Sequence, residues 1–328
     1  MAINNLLIVA NEKGGVLKST GASHLAGYAA AAGWDVLAID ADRQGNQSRD
    51  LGYTPDGGRA FAAALTGTAP LVPIQHPKWQ SLHYVAGGKA LDDAVGTIGT
   101  ALGRGNIGAL RAFERALAPL AANYHLIVVD SPPSEILLRK VLFAAARFVV
   151  VPCQVDDASV DGIAGILETV QEVRDVDAVN PYLEVLGAFL GPIQNGAQKT
   201  AQITAAQINS LVNDPEFVLA STIRSAQSIA TYCRANGILT NEYEVLANAK
   251  RPKGRGAIYK LAKADRDKLR AEHTFSAAAS GLATDWQNVV TEIMDRFQAR
   301  LAAGQTAVEP GHAAVSAEGN ARTGRLAG

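Results

Sequence analysis

The stretch Leu6-Leu7-Ile8-Val9-Ala10-Asn11-Glu12-Lys13-Gly14-Gly15-Val16-Leu17-Lys18-Ser19-Thr20 decides how the rest of the chain is read. Its first five residues form a short, unbroken apolar run, the pattern of a strand covered on both faces. From Lys18 to Ala32 the chain reads as a helix that stops at Gly33. A glycine-rich turn joins the two. Such a turn aims backbone N–H groups and a helix N-terminus at one point, and that point binds phosphate. Lys18 can reach the β- and γ-phosphates of a nucleotide, and the Ser19 hydroxyl can coordinate Mg²⁺. Strand, turn, helix and Lys-Ser-Thr all coincide, which an incidental Gly-Gly turn would not produce.

Outward from this loop, further continuous apolar runs predict strands at Val36–Asp40, Leu82–Val85, Leu126–Asp130, Phe148–Pro152 and Val185–Leu190. Apolar residues at steps of three and four predict helices at Ile107–Ala122 and Gly162–Val173. Strand and helix in alternation imply an α/β fold: a doubly wound, mostly parallel sheet with helices on both faces, in a single domain over residues 1–300. Within it, Leu282–Leu301 carries Leu282, Trp286, Val289, Val290, Ile293, Phe297 and Leu301 on one helical face. Its polar face mixes Asp285, Glu292 and Asp295 with Arg296 and Arg300, so packing on the body is expected rather than a membrane surface. Residues 302–328 are rich in small residues without periodicity and are expected to form a disordered tail.

Two more segments carry chemistry. Asp40-Ala41-Asp42-Arg43-Gln44-Gly45-Asn46 follows the second strand, and the strand Leu126–Asp130 runs into Ser131-Pro132-Pro133. Carboxylates at the C-terminal ends of parallel strands sit where open α/β sheets bind ligands. An apolar strand ending in Asp places a carboxylate near Mg²⁺ in nucleotide-binding folds of this kind.

The run Lys13-Gly14-Gly15-Val16-Leu17-Lys18-Ser19-Thr20 resembles the deviant Walker A loop of the ParA/MinD superfamily, usually KGGVGK[ST]T. Asp40-Ala41-Asp42-Arg43-Gln44-Gly45-Asn46 resembles that superfamily's D-x-D-P-Q-G-N switch, and Asp130-Ser131-Pro132-Pro133 its D-[TCS]-P-P switch. Val149-Val150-Val151-Pro152 resembles the strand before its "vPvqp" turn, which makes Cys153 a buried small residue rather than a nucleophile. The resemblance covers about residues 3 to 235 and is closest to the plasmid and chromosome partitioning ATPases. It implies a P-loop NTPase fold, an ATPase activity, ATP and Mg²⁺ as cofactors, and an ATP-dependent homodimer. It further implies that residues 13–20 hold the nucleotide, that Lys13 crosses to the partner subunit's phosphates, that Lys18 and Asp42 are catalytic with Asp42 orienting water, and that Ser19, Asp40 and Asp130 serve the metal. Ser221-Thr222-Ile223-Arg224-Ser225 is similar to a segment at the rim of the base pocket, which implies a nucleotide contact for Arg224. Three positions depart from the pattern. Leu17 stands for a loop glycine, Arg43 for a proline, and Gly191-Pro192 where Asn or Asp is common. A leucine at a position needing left-handed backbone costs about 1–2 kcal/mol.

The 328 residues are 48% hydrophobic and 19% charged, with a formal net charge of -1. That excludes a globally basic nucleic-acid coat and an acidic disordered chain. The near-neutral total hides a polarised sequence: between Lys250 and Arg270 the charge is +7, against -8 for the rest. Such a stripe, with Lys250, Arg251, Lys253, Arg255, Lys260 and Lys263 leading it, is the footprint of a phosphate-backbone binder that reads no bases. Non-specific DNA binding, a ParB-like centromere-binding partner and a nucleoid-associated place in the cytoplasm agree with the resemblance. Two cysteines, Cys153 and Cys233, make neither a disulfide framework nor a zinc cluster. No export signal and no run of about 20 apolar residues is found, so no membrane is expected. Two other readings are a nucleotide-locked scaffold weakened by Leu17 and a MinD-like positioning ATPase.

Overall fold

The computed structural model describes residues 2–176, 178–250 and 278–306. Eight strands form one sheet: β1 (Ile3–Val9), β2 (Val36–Asp40), β3 (Ile74–Gln75), β4 (Leu82–Val85), β5 (Leu126–Asp130), β6 (Ala146–Cys153), β7 (Glu184–Ile193) and β8 (Val218–Arg224). Their order across the sheet is β3-β4-β2-β5-β1-β6-β7-β8, with only the β3–β4 pair antiparallel. The expected doubly wound sheet is therefore present. The six expected strands agree to within a few residues, while β3 and β8 are additions at the two edges.

Alternation along each strand divides the core into two layers. Leu6, Ile8, Ile127 and Val129 face one side, where they meet α3 (Arg59–Thr66), α4 (Leu91–Gly103), α5 (Ala112–Ala121), α6 (Ile136–Ala145), α7 (Asp157–Gln171) and α8 (Gln198–Val212). Leu7, Val9, Leu126 and Val128 face the other, under α1 (Lys18–Ala31), α2 (Gln47–Leu51), α9 (Gln227–Asn236), α10 (Thr240–Lys250) and α11 (Ala278–Thr306). The predicted helix 107–122 is broken: Ile107–Arg111 is a 3-10 turn that leads into α5. The predicted terminal helix is longer than expected. It continues through residues 302–306, which corrects the expected tail at that end; residues 307–328 lie outside the described residues.

Edge strand β8 is finished by side chains of α11 rather than by another strand. Glu292 accepts the N–H groups of Ala220 and Ser221, each at 2.9 Å, and Asp285 accepts that of Arg224 at 2.9 Å. Arg296 donates to the carbonyls of Leu186, Phe217 and Glu216. Backbone groups that would otherwise template a foreign strand are thereby occupied. Two of the three acidic residues that weighed against a membrane face, Asp285 and Glu292, have this work to do. Among the described residues, no helix is long and apolar enough to cross a membrane.

Helix α1 is buried almost all round, and its small residues let neighbours come close. A Cβ on Gly27 would lie 2.2 Å from Leu239 Cδ1, and one on Gly21 would lie 3.1 Å from Phe189 Cζ. On the same helix, His24 Nδ1 lies 2.8 Å from the Thr20 carbonyl, its Nε2 lies 3.0 Å from Thr240 Oγ1, and its ring stacks on Trp286 at 4.1 Å. The carbonyl can only accept, so Nδ1 carries the proton and a neutral ring accepts from Thr240. Tyr28 adds a hydrogen bond to the Ala283 carbonyl. One imidazole thus joins α1, α10 and α11. Burial pushes its pKa down to about 4, against about 6.5 in the unfolded chain. Between those values the unfolded state binds the extra proton, so this contribution to stability falls as pH falls. The unfolding free energy of wild type minus that of His24→Gln should shrink by about 2 kcal/mol between pH 7 and pH 5, read from urea melts. A difference that stays constant with pH would refute the assignment of a neutral, buried ring.

Candidate nucleotide site

β1, β2 and β5 lie side by side, and their last residues are in register: Val9 opposite Asp130, and Asp40 opposite Asp130. The three loops singled out in the sequence therefore leave the sheet at one place. The phosphate loop is held there by its first residue. Asn11, fully buried, donates to the Pro152 carbonyl at 2.8 Å and accepts from the Lys13 N–H at 2.9 Å.

Gly15 has φ 78° and Leu17 φ 68°, ψ 22°, so both are left-handed. Leu17 occupies the N-cap of α1, and no side chain caps that helix. Its first-turn N–H groups are left to an anion. Cβ atoms built on Gly14 and Gly15 would meet nothing within 4 Å, so the loop is open where phosphates would lie. Lys18 is buried and folds back, its Nζ 2.5 Å from the Lys13 carbonyl. Burial lowers its pKa, against the pull of Asp130 and Asp42.

Asp40 and Asp130 are both fully buried. Asp40 accepts the N–H groups of Asp42 at 2.9 Å and Gln47 at 3.0 Å. Neither oxygen of Asp130 has a hydrogen bond of full geometry, although the Ser19 hydroxyl lies close by. Burial first, then the charge of Asp40, raises the Asp130 pKa well above the carboxylate range, with Ser19 close enough to oppose the shift. Asp40 is raised to about 7, again chiefly by burial. Gln47, Tyr53 and Ser131 add buried polar atoms without partners. A buried carboxylate that no hydrogen bond of full geometry satisfies is the kind of exception that an ion or ordered water explains. The donor set of Ser19, Asp40 and Asp130 is all oxygen, which suits Mg²⁺. Asp42 is nearly buried and accepts from the Gln44 N–H at 2.9 Å. Arg43 pairs outward with Asp92 at 3.2 Å.

Lys13 Nζ lies 2.5 Å from Asp156 of its own chain, and the ammonium holds the Asp156 carboxyl below its usual range. Asp156 also caps α7 through the Ser159 N–H at 2.9 Å. Arg224 points along a cavity of about 230 Å³ that it shares with Leu17, Thr20, Pro192 and Gln227. Its guanidinium forms two hydrogen bonds to Asp285, at 2.6 and 2.8 Å. Lys13, Lys18, Ser19, Asp40, Asp42 and Asp130 thus gather at one end of the sheet, with Arg224 at the cavity beside it. The side chain of Lys250, together with Arg251, Lys253, Arg255, Lys260 and Lys263, lies outside the described residues.

Sequence reasoning missed several supports of this site. A Cβ on Gly87 would lie 2.6 Å from Asp40 Oδ1, so the second carboxylate loop has backbone pressed against it. The signal available was a Gly-Gly pair directly after a strand. Asp156, and the Gln154 amide that donates to the Gly15 carbonyl at 3.0 Å, carried no motif of their own.

Comparison with known proteins agrees with this geometry. The AAA domain family matches residues 4–185. The chromosome-partitioning ATPase Soj of Thermus thermophilus is 36% identical over 225 residues, covering 68% of this chain and 83% of that protein. The chromosome partitioning protein ParA of Myxococcus xanthus is 32% identical over 205 residues, covering 61% and 69%. The structure of apo McdA from Cyanothece superposes with a TM-score of 0.63 at 20% identity, over 73% of this chain and 93% of that one, a likeness of fold. Since the matched stretch takes in all three loops that meet at the ends of β1, β2 and β5, the chain belongs to the ParA/MinD superfamily of P-loop ATPases.

Proposed function

We propose that this ATPase is a magnesium-dependent, dimerising switch that holds DNA without reading its sequence and acts in plasmid or chromosome partitioning, in the cytoplasm. The observation that carries the nucleotide half is the open, uncapped start of α1 beside a fully buried carboxylate that no hydrogen bond of full geometry satisfies. Lys18 and the loop N–H groups hold the phosphates. Ser19, Asp40 and Asp130 hold the metal, which when bound neutralises charge on the β- and γ-phosphate oxygens. Asp42 orients the attacking water. Lys13 leaves Asp156 and completes the partner subunit's site. Arg224 stands at the rim of the base cavity. The +7 segment from Lys250 to Arg270 contacts DNA phosphates. The names of the partitioning relatives support a role beside a ParB-like protein.

A scaffold that binds nucleotide and hardly turns over is the second reading, and Leu17 is the residue that raises it. Its left-handed backbone costs about 1–2 kcal/mol. Leu17 itself adopts the left-handed backbone that a glycine would allow there, so the loop keeps the geometry in which its N–H groups face one point. The leucine side chain also forms part of the cavity wall. This favours the ATPase switch.

Three measurements test these roles. Lys18→Ala should lower ATP affinity by tens- to a hundredfold, the loss of a charge-assisted contact; retained tight binding would contradict the loop assignment. Leu17→Gly should leave turnover within about threefold and should not tighten ATP binding, because the leucine already holds the left-handed backbone that a glycine would adopt; a large gain in turnover would favour the scaffold. Replacing Lys250, Arg251, Lys253 and Arg255 with Glu should abolish DNA retention and flatten its salt dependence while sparing ATP binding; unchanged DNA affinity would remove the basic segment from the proposal.

A further inference from the structure

None of the roles above uses Arg139, although it is among the largest fully buried side chains of the described residues. It lies on α6, its side chain 1% exposed. Its Nη2 donates to Glu12 Oε1 at 2.5 Å, its Nη1 reaches the Pro133 carbonyl at 3.4 Å, and its Nε has no partner. Taking a guanidinium out of water is expensive, and an apolar side chain of similar volume usually serves a core as well or better. An incompletely satisfied charge is worse still. Folding energetics alone give no reason for an arginine here.

The two groups it touches do. Glu12 immediately precedes Lys13 in the phosphate loop, and Pro133 lies in the switch that follows Asp130. The Glu12 carboxylate is wedged: a Cβ on Gly165 of α7 would lie 2.2 Å from its Oε2. One residue earlier, a Cβ on Gly162 would lie 2.7 Å from Asn11 Oδ1. The start of the loop is therefore clamped between the arginine on α6 and two glycines on α7, the helix whose cap holds Lys13. The charge is also felt at the phosphate site. Lys18's proton affinity is lowered first by burial and further by Arg139, against Asp130 and Asp42.

We propose that Arg139 is a positioning residue for ATP hydrolysis. Through Glu12 and the Pro133 carbonyl it fixes the loop that carries Lys13 against the switch at 131–135, so that both meet the terminal phosphate in one geometry. Small misplacements of a reacting group are costly in rate while binding, spread over many contacts, changes little. A purely structural ion pair would behave differently. Its loss would lower thermal stability, and activity would fall only with the folded fraction.

Turnover with MgATP and DNA, ATP affinity and thermal melting of the full chain separate the two. Wild-type turnover in the same assay tests the ATPase assignment itself. Arg139→Met fills the volume, removes the buried charge and leaves Glu12, 39% exposed, to water. It should melt within a few degrees of wild type, bind ATP within about threefold, and lose roughly tenfold or more in kcat. Arg139→Lys should recover only part of that loss, since an ammonium can reach Glu12 but cannot bridge two acceptors as a guanidinium does. Glu12→Gln combined with Arg139→Met should be no slower than Arg139→Met alone, because both act through one link. A folded Arg139→Met with unchanged kcat would overturn the proposal, as would full rescue by lysine or losses that add. Should Arg139→Met fail to fold, Glu12→Gln decides: kcat should fall about threefold or more at constant ATP affinity, and an unchanged kcat overturns the proposal.

Discussion

A parallel sheet cannot vary the positions of its strand ends independently, and the site depends on that constraint. Each central strand is hydrogen-bonded on both sides, so β1, β2 and β5 stop at one level because their registers are locked. The glycine loop, the Asp40 loop and the Asp130 loop then converge without any of them reaching out. Convergence buries two carboxylates and a lysine together. Burial raises Asp40 and Asp130 and lowers Lys18, which means that each charge there is held at a cost in stability. A bound triphosphate and its cation relieve several of these costs together, so the same feature that destabilises the free chain drives ligand binding.

Leu17 shows where such costs are placed. Its left-handed backbone goes with an uncapped helix N-terminus. The surrounding fold holds the strained residue in place, since Asn11 ties the loop to the Pro152 carbonyl and the Gln154 amide donates to the Gly15 carbonyl. The leucine side chain packs against the α1 layer of the core and lines the neighbouring cavity, which offsets part of that cost.

Much of this was legible in the sequence, and the reasons are physical. Strands buried on both faces have no polar interruptions before their ends, so the central runs at Val36–Asp40 and Leu126–Asp130 stand out with their true limits. Edge strands lack that signature. β8 reads Val-Leu-Ala-Ser-Thr-Ile-Arg and is completed by α11, 61 to 72 residues further along the chain, through Asp285 and Glu292. β3 has only two residues. The site shows the same division. Residues that would touch phosphate or metal sit in dense local motifs and could be named from them. Asp156 and Arg139 meet the loop through contacts between segments far apart in the chain, and nothing in their immediate neighbours marks them, whereas Gly87 had the Gly-Gly pair as its signal.

The ion pair between Lys13 and Asp156 bears on how a monomer could become half of a dimer. In the free chain the lysine is neither loose nor buried: side-chain exposures are 30% and 41%, and the carboxylate keeps its bonds to Ser159 when the lysine leaves. A pair at such exposure contributes roughly 0–1 kcal/mol. Triphosphate oxygens in a water-excluding interface offer a lysine charge-assisted hydrogen bonds worth about 1.5–3 kcal/mol. The exchange proposed for Lys13 is therefore downhill only once a partner's nucleotide is present. On the proposed exchange, Asp156 orders the lysine in the free chain at an energy too small to hold it once the partner's phosphates are present.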